Sequence, residues 1–361
     1  MSPGGTTGFI DETSSMYRST TTRTTRRAFL KASTGAATAS LLAAGPFDIA
    51  QAQSSSPAVT QSRGPHNILF VFTDQERFQS RWPKGLSLPG HERLERTGVT
   101  FTNHQCPATM CTSSRSVIVT GLQTATNGMY ENLDVPWMRD LPTSNPTIGH
   151  MLRKAGYYTA YKGKWHLSRE FDTTSIDKFM TPEMERYGFA DNFSPGDLIG
   201  HTLGGYSFDH ITAGSAINWL RTKGRPLSDD GKPWCMYVSF VNPHDVCEYL
   251  HRFESRNMPD LVAQEIVAEA ELPPLPDNFD FDIAQETVAQ IAARRVPGCY
   301  IHDGIRAAVA GWSELDWRTY IWRYYRYVED VDRNIGLVLD ALESSGVADD
   351  TILIFTADHG E

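Results

Sequence analysis

Three short apolar runs, each followed by polar residues, dominate the hydrophobic pattern of the chain. They cover residues 67–73, 234–241 and 351–356. An apolar run of this length predicts a strand that is buried on both faces of a mainly parallel sheet. Residues 157–161 carry three tyrosines and a threonine, and they indicate a further strand.

Helical spacing of apolar residues separates these strands. It predicts helices over 148–155, 211–222 and 317–343, and it is clearest from Val328 to Leu342, where apolar residues recur every three or four positions. Alternating strands and helices indicate an α/β domain with a mainly parallel central sheet and helices on both faces. Such sheets bind ligands at the carboxyl ends of their strands, where the polar residues lie.

The N-terminal region has the pattern of a targeting segment. Residues 25–31, Thr-Arg-Arg-Ala-Phe-Leu-Lys, resemble a twin-arginine export signal, and an Ala-rich run follows over 32–44. That run is too short to span a bilayer, so we expect no transmembrane anchor. Ala50-Gln51-Ala52 then offers a signal-peptidase site. A disordered basic tail is the alternative.

The resulting organisation is an export signal, a linker and one folded domain. We expect the twin-arginine translocon as a partner and a periplasmic or secreted location. The segments are 1–52 for the signal, 53–64 for the linker and 65–361 for the α/β domain.

Residues 245–312 differ from the rest of the domain, because they contain clustered acids and few clean periodicities. We expect an insertion over the active-site edge that shapes substrate choice. A surface excursion without contact to the site is the alternative.

Charge and cysteine content narrow the function. A formal net charge of -10 argues against a nucleic-acid partner. The five cysteines, at 106, 111, 235, 247 and 299, have no zinc-type spacing. Disulfides and buried free thiols both stay open for them.

Polar residues at two strand ends indicate a metal site. Asp74 and Gln75 follow the first strand, and Asp358 and His359 follow the last. Three oxygen donors and one imidazole suit a hard cation such as Ca²⁺, Mg²⁺ or Mn²⁺. Either pair alone would more often be a turn or a helix cap.

Four motifs in this order resemble those of the sulfatase family, which has an alkaline-phosphatase-like fold. Ser113 departs from the first motif, because the family has proline or alanine there, and Gln75 stands where the family commonly has a second aspartate. The motifs are Cys111-Thr-Ser-Ser-Arg115 with Thr120-Gly121, Gly163-Lys-Trp-His-Leu167, Asn242-Pro-His244 and Asp358-His-Gly-Glu361.

The resemblance implies a role for each motif residue. Cys111 would be oxidised to formylglycine by a formylglycine-generating enzyme, and the hydrated aldehyde would attack the sulfur of a small sulfate ester. Arg115 would hold the two hydroxyls of that hydrate, and Lys164 would contact sulfate oxygens. His166 would assist the release of sulfate, and His244 would protonate the leaving oxygen.

The resemblance also implies a metal set and leaves alternatives. Asp74, Gln75, Cys111, Asp358 and His359 would bind one divalent cation, most simply Ca²⁺. The Asp-Gln pair also occurs in some sulfatases and in related phosphonate hydrolases, so a phosphonate monoester or phosphodiester hydrolase is the alternative enzyme.

A further expectation concerns the end of the sequence. Sulfatases carry another lysine and a smaller subdomain after the Asp-His-Gly motif, and this sequence stops at Glu361. We therefore expect that the chain lacks the C-terminal subdomain, and an inactive truncated remnant is a further alternative.

Overall fold

The structure is a computed structural model, and its described residues belong to one compact unit, Gln61–Glu361. The export signal predicted for 1–52, nearly all of the predicted linker and much of 245–312 lie outside the described residues. The described residues are 64–169, 180, 182–194, 204–247, 267–280, 285–288, 291, 309 and 311–361.

In the described part of the chain, five strands form one sheet with the order β3-β2-β4-β1-β5. Every pairing is parallel, which confirms the predicted sheet type. The central strand β4 is buried along its whole length, as its mainly apolar run predicts. The strands are β1 (Asn67–Asp74), β2 (Tyr158–Gly163), β3 (Ala190–Phe193), β4 (Trp234–Pro243) and β5 (Thr351–Ala357).

The helices lie between the strands in the chain. Capping boxes lie at the starts of two of them. Thr147 and His150 form the box of α4, and Ser313 and Asp316 form the box of α7. A π-helical turn, Leu220–Gly224, joins α5 to α6. The α-helices are α1 (Pro89–Thr97), α2 (Cys111–Thr120), α3 (Thr124–Asn127), α4 (Ile148–Lys154), α5 (Gly204–Trp219), α6 (Arg225–Asp229) and α7 (Glu314–Ser344).

Short 3₁₀ turns complete the secondary structure of the described residues. They are Pro182–Tyr187, Glu269–Glu271 and Ala348–Asp350. The last of these leads directly into β5.

Apolar cores cover both faces of the sheet. On one face Val71 and Val238 pack with Ala213 of α5 and Ile335 of α7. On the other face Phe72, Cys235 and Tyr237 pack in one cluster with Val119 of α2, and Ile148 and Leu152 of α4 pack against it. Neighbouring strand residues point to opposite faces, so one apolar run supplies both cores. The prediction of helices on both faces is confirmed.

Most predicted elements are observed within a few residues of their expected bounds. The exception is the helix predicted over 211–222. It begins seven residues earlier, at Gly204, and its α-helical part ends at Trp219. The predicted elements also did not include α1, α2, α3, α6 and β3.

Candidate active site

The carboxyl ends of β1, β4 and β5 meet at one edge of the sheet. Asp74 is the last residue of β1, and Asp358 follows β5 directly. Their carboxylates are fully buried. His244 follows β4 and is only partly buried. The edge predicted from the apolar runs is therefore the place where the acidic residues converge.

Helix α2 brings Cys111 to this edge. The helix begins at Cys111 and ends before Gly121, whose left-handed conformation lets its N–H bond the carbonyl of Val117 at 2.8 Å. The Cys111 sulfur lies 3.2 Å from His359 Nε2 and 3.5 Å from Asp74 Oδ1. Burial and the charge of Asp74 raise the pKa of this thiol.

Four residues form a group that could hold a cation. Asp74, Cys111, Asp358 and His359 each offer one ligand atom, and these atoms all lie within 4.8 Å of one another. His359 Nε2 is 3.8 Å from a carboxylate oxygen of each aspartate. Two carboxylates and an imidazole are donors that a divalent cation accepts, so the residues fit such an ion.

In each aspartate, one carboxylate oxygen contacts positively charged side chains, and the other faces a different set of groups. Asp74 Oδ2 lies 2.8 Å from Arg115 Nη2 and 2.7 Å from Lys164 Nζ, which leaves Oδ1 facing Cys111 and His359. Burial would raise the pKa of Asp74, but the charges of Lys164 and Arg115 hold it well below its usual range. Asp74 is therefore a carboxylate with one oxygen directed into the cluster.

Asp358 has the same division. Its Oδ2 accepts from Arg115 Nε at 2.8 Å. Its Oδ1 accepts from the backbone N–H groups of Gln75, at 3.1 Å, and His359, at 2.8 Å. These bonds fix the end of β5 against the turn that follows β1.

Arg115 is a hub of hydrogen bonds one helical turn after Cys111. Besides the two aspartates, it donates from Nη1 to the carbonyl of Lys164 at 2.9 Å and to Ser239 Oγ at 2.8 Å. Its guanidinium also lies 4.9 Å from the centre of the Phe72 ring. One buried side chain therefore joins α2 to β1, to β4, to the residue that follows β5 and to the turn after β2.

Gly163 shapes the turn that presents Lys164. Its φ is +95°, and a Cβ there would lie 1.8 Å from the carbonyl oxygen of Ser239, so only glycine fits. Lys164 Nζ then reaches within 3.9 Å of the Cys111 sulfur. The charge of Asp74 overcomes burial and raises the pKa of Lys164, which keeps the ammonium charged.

His166 completes the group around Cys111. Its φ is +55°, a left-handed conformation that is uncommon for histidine. Its Nε2 lies 3.3 Å from Asp134 Oδ1, and its influence on the Cys111 thiol opposes the rise in the pKa of that thiol. Sequence reasoning missed Asp134, since a lone acid in a loop carries no signal.

His244 belongs to the same electrostatic group. Although His244 is partly exposed, desolvation of its imidazole and then the charge of Lys164 lower its pKa to about 3, against the opposing effect of Asp74. Its neighbour Asp245 accepts from the backbone N–H groups of Gly205 at 2.9 Å and Tyr206 at 2.8 Å, so it caps the start of α5.

Gln75 adopts a left-handed backbone, with φ +67°, directly after Asp74. Its side-chain amide contacts the Cys247 sulfur at 3.2 Å and bonds the carboxylate of Glu361. Its role as a metal ligand stays a prediction. Cys106, Cys111, Cys235 and Cys247 are free thiols.

A cleft of about 1030 Å³ lies beside Glu361. Its walls are the loop 77–86, the proline-rich stretch 270–277 and the aromatic segment 320–326 of α7. Part of the predicted insertion over 245–312 thus lines a cleft that reaches Glu361, which bonds Gln75 next to Asp74.

The sequence as a whole matches a known family. The family model described as "Sulfatase" matches residues 66–361. The chain therefore belongs to the sulfatase family.

Two relatives illustrate the similarity. A choline-sulfatase of Rhizobium meliloti (strain 1021) is 25% identical over 336 residues, which cover 82% of this chain and 58% of the relative. A Delta 4,5-hexuronate-2-O-sulfatase of Bacteroides thetaiotaomicron is 27% identical over 309 residues, which cover 84% of this chain and 58% of the relative. The chain thus spans less than two thirds of the length of these relatives.

Solved structures share the fold. A structure described as a 2-O GAG sulfatase matches with a TM-score of 0.60 and 21% identity, covering 82% of this chain and 58% of that one. A phosphonate monoester hydrolase of Agrobacterium radiobacter matches with a TM-score of 0.55 and 19% identity, covering 82% and 63%. Both confirm the predicted α/β fold. Among the described residues, no helix is long and apolar enough to cross a membrane.

Proposed function

We propose that the protein hydrolyses a sulfate monoester at the cluster around Cys111. One observation carries this proposal. Two buried carboxylates, Asp74 and Asp358, and His359 surround the side chain of Cys111, and the ammonium group of Lys164 lies 3.9 Å from its sulfur. Membership of the sulfatase family supports the same reaction.

The proposed cofactor is one divalent cation, with Ca²⁺ preferred over Mg²⁺ and Mn²⁺. Asp74 Oδ1, Asp358, His359 and the residue derived from Cys111 would hold it, and Gln75 is the further proposed ligand. Oxygen-rich donor sets suit Ca²⁺. The bound ion would supply positive charge that polarises the attacking group.

Cys111 is the proposed precursor of formylglycine, whose hydrate provides the hydroxyl that attacks sulfur. A bare thiol suits that role poorly, because burial raises its pKa and keeps it protonated. Maturation by a formylglycine-generating enzyme and export by the twin-arginine route belong to the same proposal, with the signal over 1–52 and a periplasmic or secreted destination.

The remaining site residues divide into positioning and contact roles. Arg115 holds the two aspartates, because its donors already bond Asp74, Asp358, Ser239 and a carbonyl. Lys164, beside the Cys111 sulfur, binds an oxygen of the sulfate group. Contact of Arg115 with the hydrate, as the resemblance implies, remains part of the proposal beside its support of the carboxylates.

His166 and His244 are the proposed proton-transfer groups. His166 lowers the pKa of the Cys111 thiol, so it acts at the position where a proton must leave as sulfate is released. His244 has a pKa of about 3, so it is neutral before substrate binds. The negative charge of a bound sulfate ester raises that pKa and allows His244 to donate a proton to the leaving oxygen.

Parallel assays on an aryl sulfate and an aryl phosphonate monoester test the reaction. We expect a higher kcat/KM for the sulfate, and loss of both activities in Cys111→Ala with an unchanged circular-dichroism spectrum. A clear preference for the phosphonate would favour the alternative hydrolase, which the Asp74-Gln75 pair also allows. Full activity in Cys111→Ala would place the nucleophile elsewhere.

A further inference from the structure

His91, near the start of α1, is buried between two carboxylates that do not belong to the cluster around Cys111. Its Nδ1 lies 2.6 Å from Asp332 Oδ1, and its Nε2 lies 2.7 Å from Glu76 Oε1. The rings of Trp82 and Phe355 meet it edge-on, with centroids 5.9 and 5.1 Å away. Carboxylates therefore contact both nitrogens of the imidazole, and aromatic rings pack against the rest of it.

The two contacts require a doubly protonated ring. Carboxylate oxygens only accept hydrogen bonds, so a neutral imidazole could donate to one of them but not to both. Burial would lower the pKa of His91, but the charges of Glu76 and Asp332 and their hydrogen bonds raise it to about 10. His91 is thus a buried cation at neutral pH.

Asp332 anchors this arrangement on α7. Its carboxylate also accepts from the backbone N–H groups of Gly90 at 3.0 Å and His91 at 2.8 Å, which caps the start of α1. A Cβ on Gly90 would lie 2.8 Å from Asp332 atoms, so the two helices meet closely. The His91 ring is consequently fixed relative to α7.

Glu76 carries the connection to the turn that follows β1. It stands two residues after Asp74 and follows Gln75, whose left-handed backbone redirects the chain. The hydroxyl of Tyr324 bonds both sides of the turn, donating to the Gln75 carbonyl at 3.0 Å and accepting from the Arg77 N–H at 2.7 Å. The Glu76 side chain is held by His91.

We propose that His91 is a positioning residue of the cation site. Through Glu76 it holds the turn 75–77 in the conformation that directs Asp74 Oδ1 and Gln75 toward Asp358. The inference rests on the proposed metal site. It adds a chain of contacts that runs from α7 through α1 to the end of β1 and supports that site. It predicts that the imidazolium, which touches no ligand, sets the affinity for the cation.

Calorimetric titration of the purified protein with CaCl₂ tests this, together with circular dichroism to confirm folding. His91→Gln and Glu76→Gln should each weaken Ca²⁺ binding roughly 10- to 100-fold, the range measured when groups supporting metal ligands are changed. The double variant should bind as weakly as either single variant, since both break the same link. Glu76→Gln serves if His91→Gln does not fold.

Arg93→Gln is the matched control. Arg93 also joins α1 to α7, through Asp340 and Glu343 at 2.6 Å each, but it does not contact Glu76. The Ca²⁺ affinity of the Arg93→Gln variant should equal that of the wild type. Equal weakening by Arg93→Gln, or unchanged affinity in His91→Gln and Glu76→Gln, would overturn the inference alone. A wild-type protein that binds no Ca²⁺ would overturn the metal site, and the inference with it.

Discussion

Replacing Ser113 by alanine should stabilise the protein. Ser113 lies within α2 and is 2% exposed, and its hydroxyl has no hydrogen-bond partner in the described part of the structure. A buried polar group without a partner costs about 1–3 kcal/mol. Alanine removes that group and also favours the helix by roughly 0.5 kcal/mol. Loss of the small contacts of the oxygen offsets part of this gain, so we expect about 1–2 kcal/mol.

Ser116→Ala is the matched control on the same helix. The Ser116 hydroxyl is equally buried, but it donates to the Ser113 carbonyl at 2.6 Å and accepts from Asn127 Nδ2 at 2.9 Å. Its removal should lower the free energy of unfolding by about 1 kcal/mol. Urea denaturation followed by circular dichroism gives both values, provided that the m-values agree. A less stable Ser113→Ala, or equal shifts in the two variants, would refute the reasoning.

Two further predictions concern residues near the site. Asp245→Ala should destabilise the protein by about 1–2 kcal/mol in thermal denaturation, because α5 loses its cap. Asp245→Asn should lose less stability, and equal losses in the two variants would argue against capping. The pKa of His91 rises from 6.5 to about 10 on folding. The stabilisation that its charge contributes to the folded state is therefore complete below pH 6.5 and is lost as the pH rises to 10. The free energy of unfolding should therefore fall more steeply with pH in the wild type than in His91→Gln, by roughly 5 kcal/mol over this window; parallel curves would contradict a charged His91.

The elements that the sequence predicted well are those in which neighbouring residues show a clear apolar pattern. The run in β4 is mainly apolar and wholly buried, so its pattern and its structure agree. Strand β3 was missed because Ala190-Asp-Asn-Phe193 is a short edge strand without an apolar run. Helix α1 was missed because Leu94 is its only large apolar residue.

The start of α5 depended on a contact between distant parts of the chain. Glycines at 204 and 205 are poor helix formers, and the helix begins there because Asp245, about 40 residues later, accepts its first N–H groups. No local pattern reports such a cap.

The candidate site follows the same division. Asp74, Cys111, Lys164 and Asp358 stand in motifs, and the structure brings them together as the sequence led us to expect. The donors of Arg115 were not foreseen, because its partners lie on strands that adjoin only after folding.

The supporting contacts of Ser239, Asp134 and His91 were also not foreseen. Each depends on a neighbour that is remote in sequence. Chemistry-bearing residues could thus be read from the sequence, while the residues that orient them required the structure.

Mass spectrometry of one tryptic peptide tests the central claim most directly. Cleavage after Arg96 and Arg115 gives residues 97–115, which contain both Cys106 and Cys111. The exposed thiol of Cys106 serves as an internal standard for alkylation by iodoacetamide. In protein purified from its native host, we expect one alkylated cysteine, at Cys106, and an aldehyde at Cys111. A peptide with two alkylated cysteines would contradict the formylglycine-dependent reaction proposed for this site.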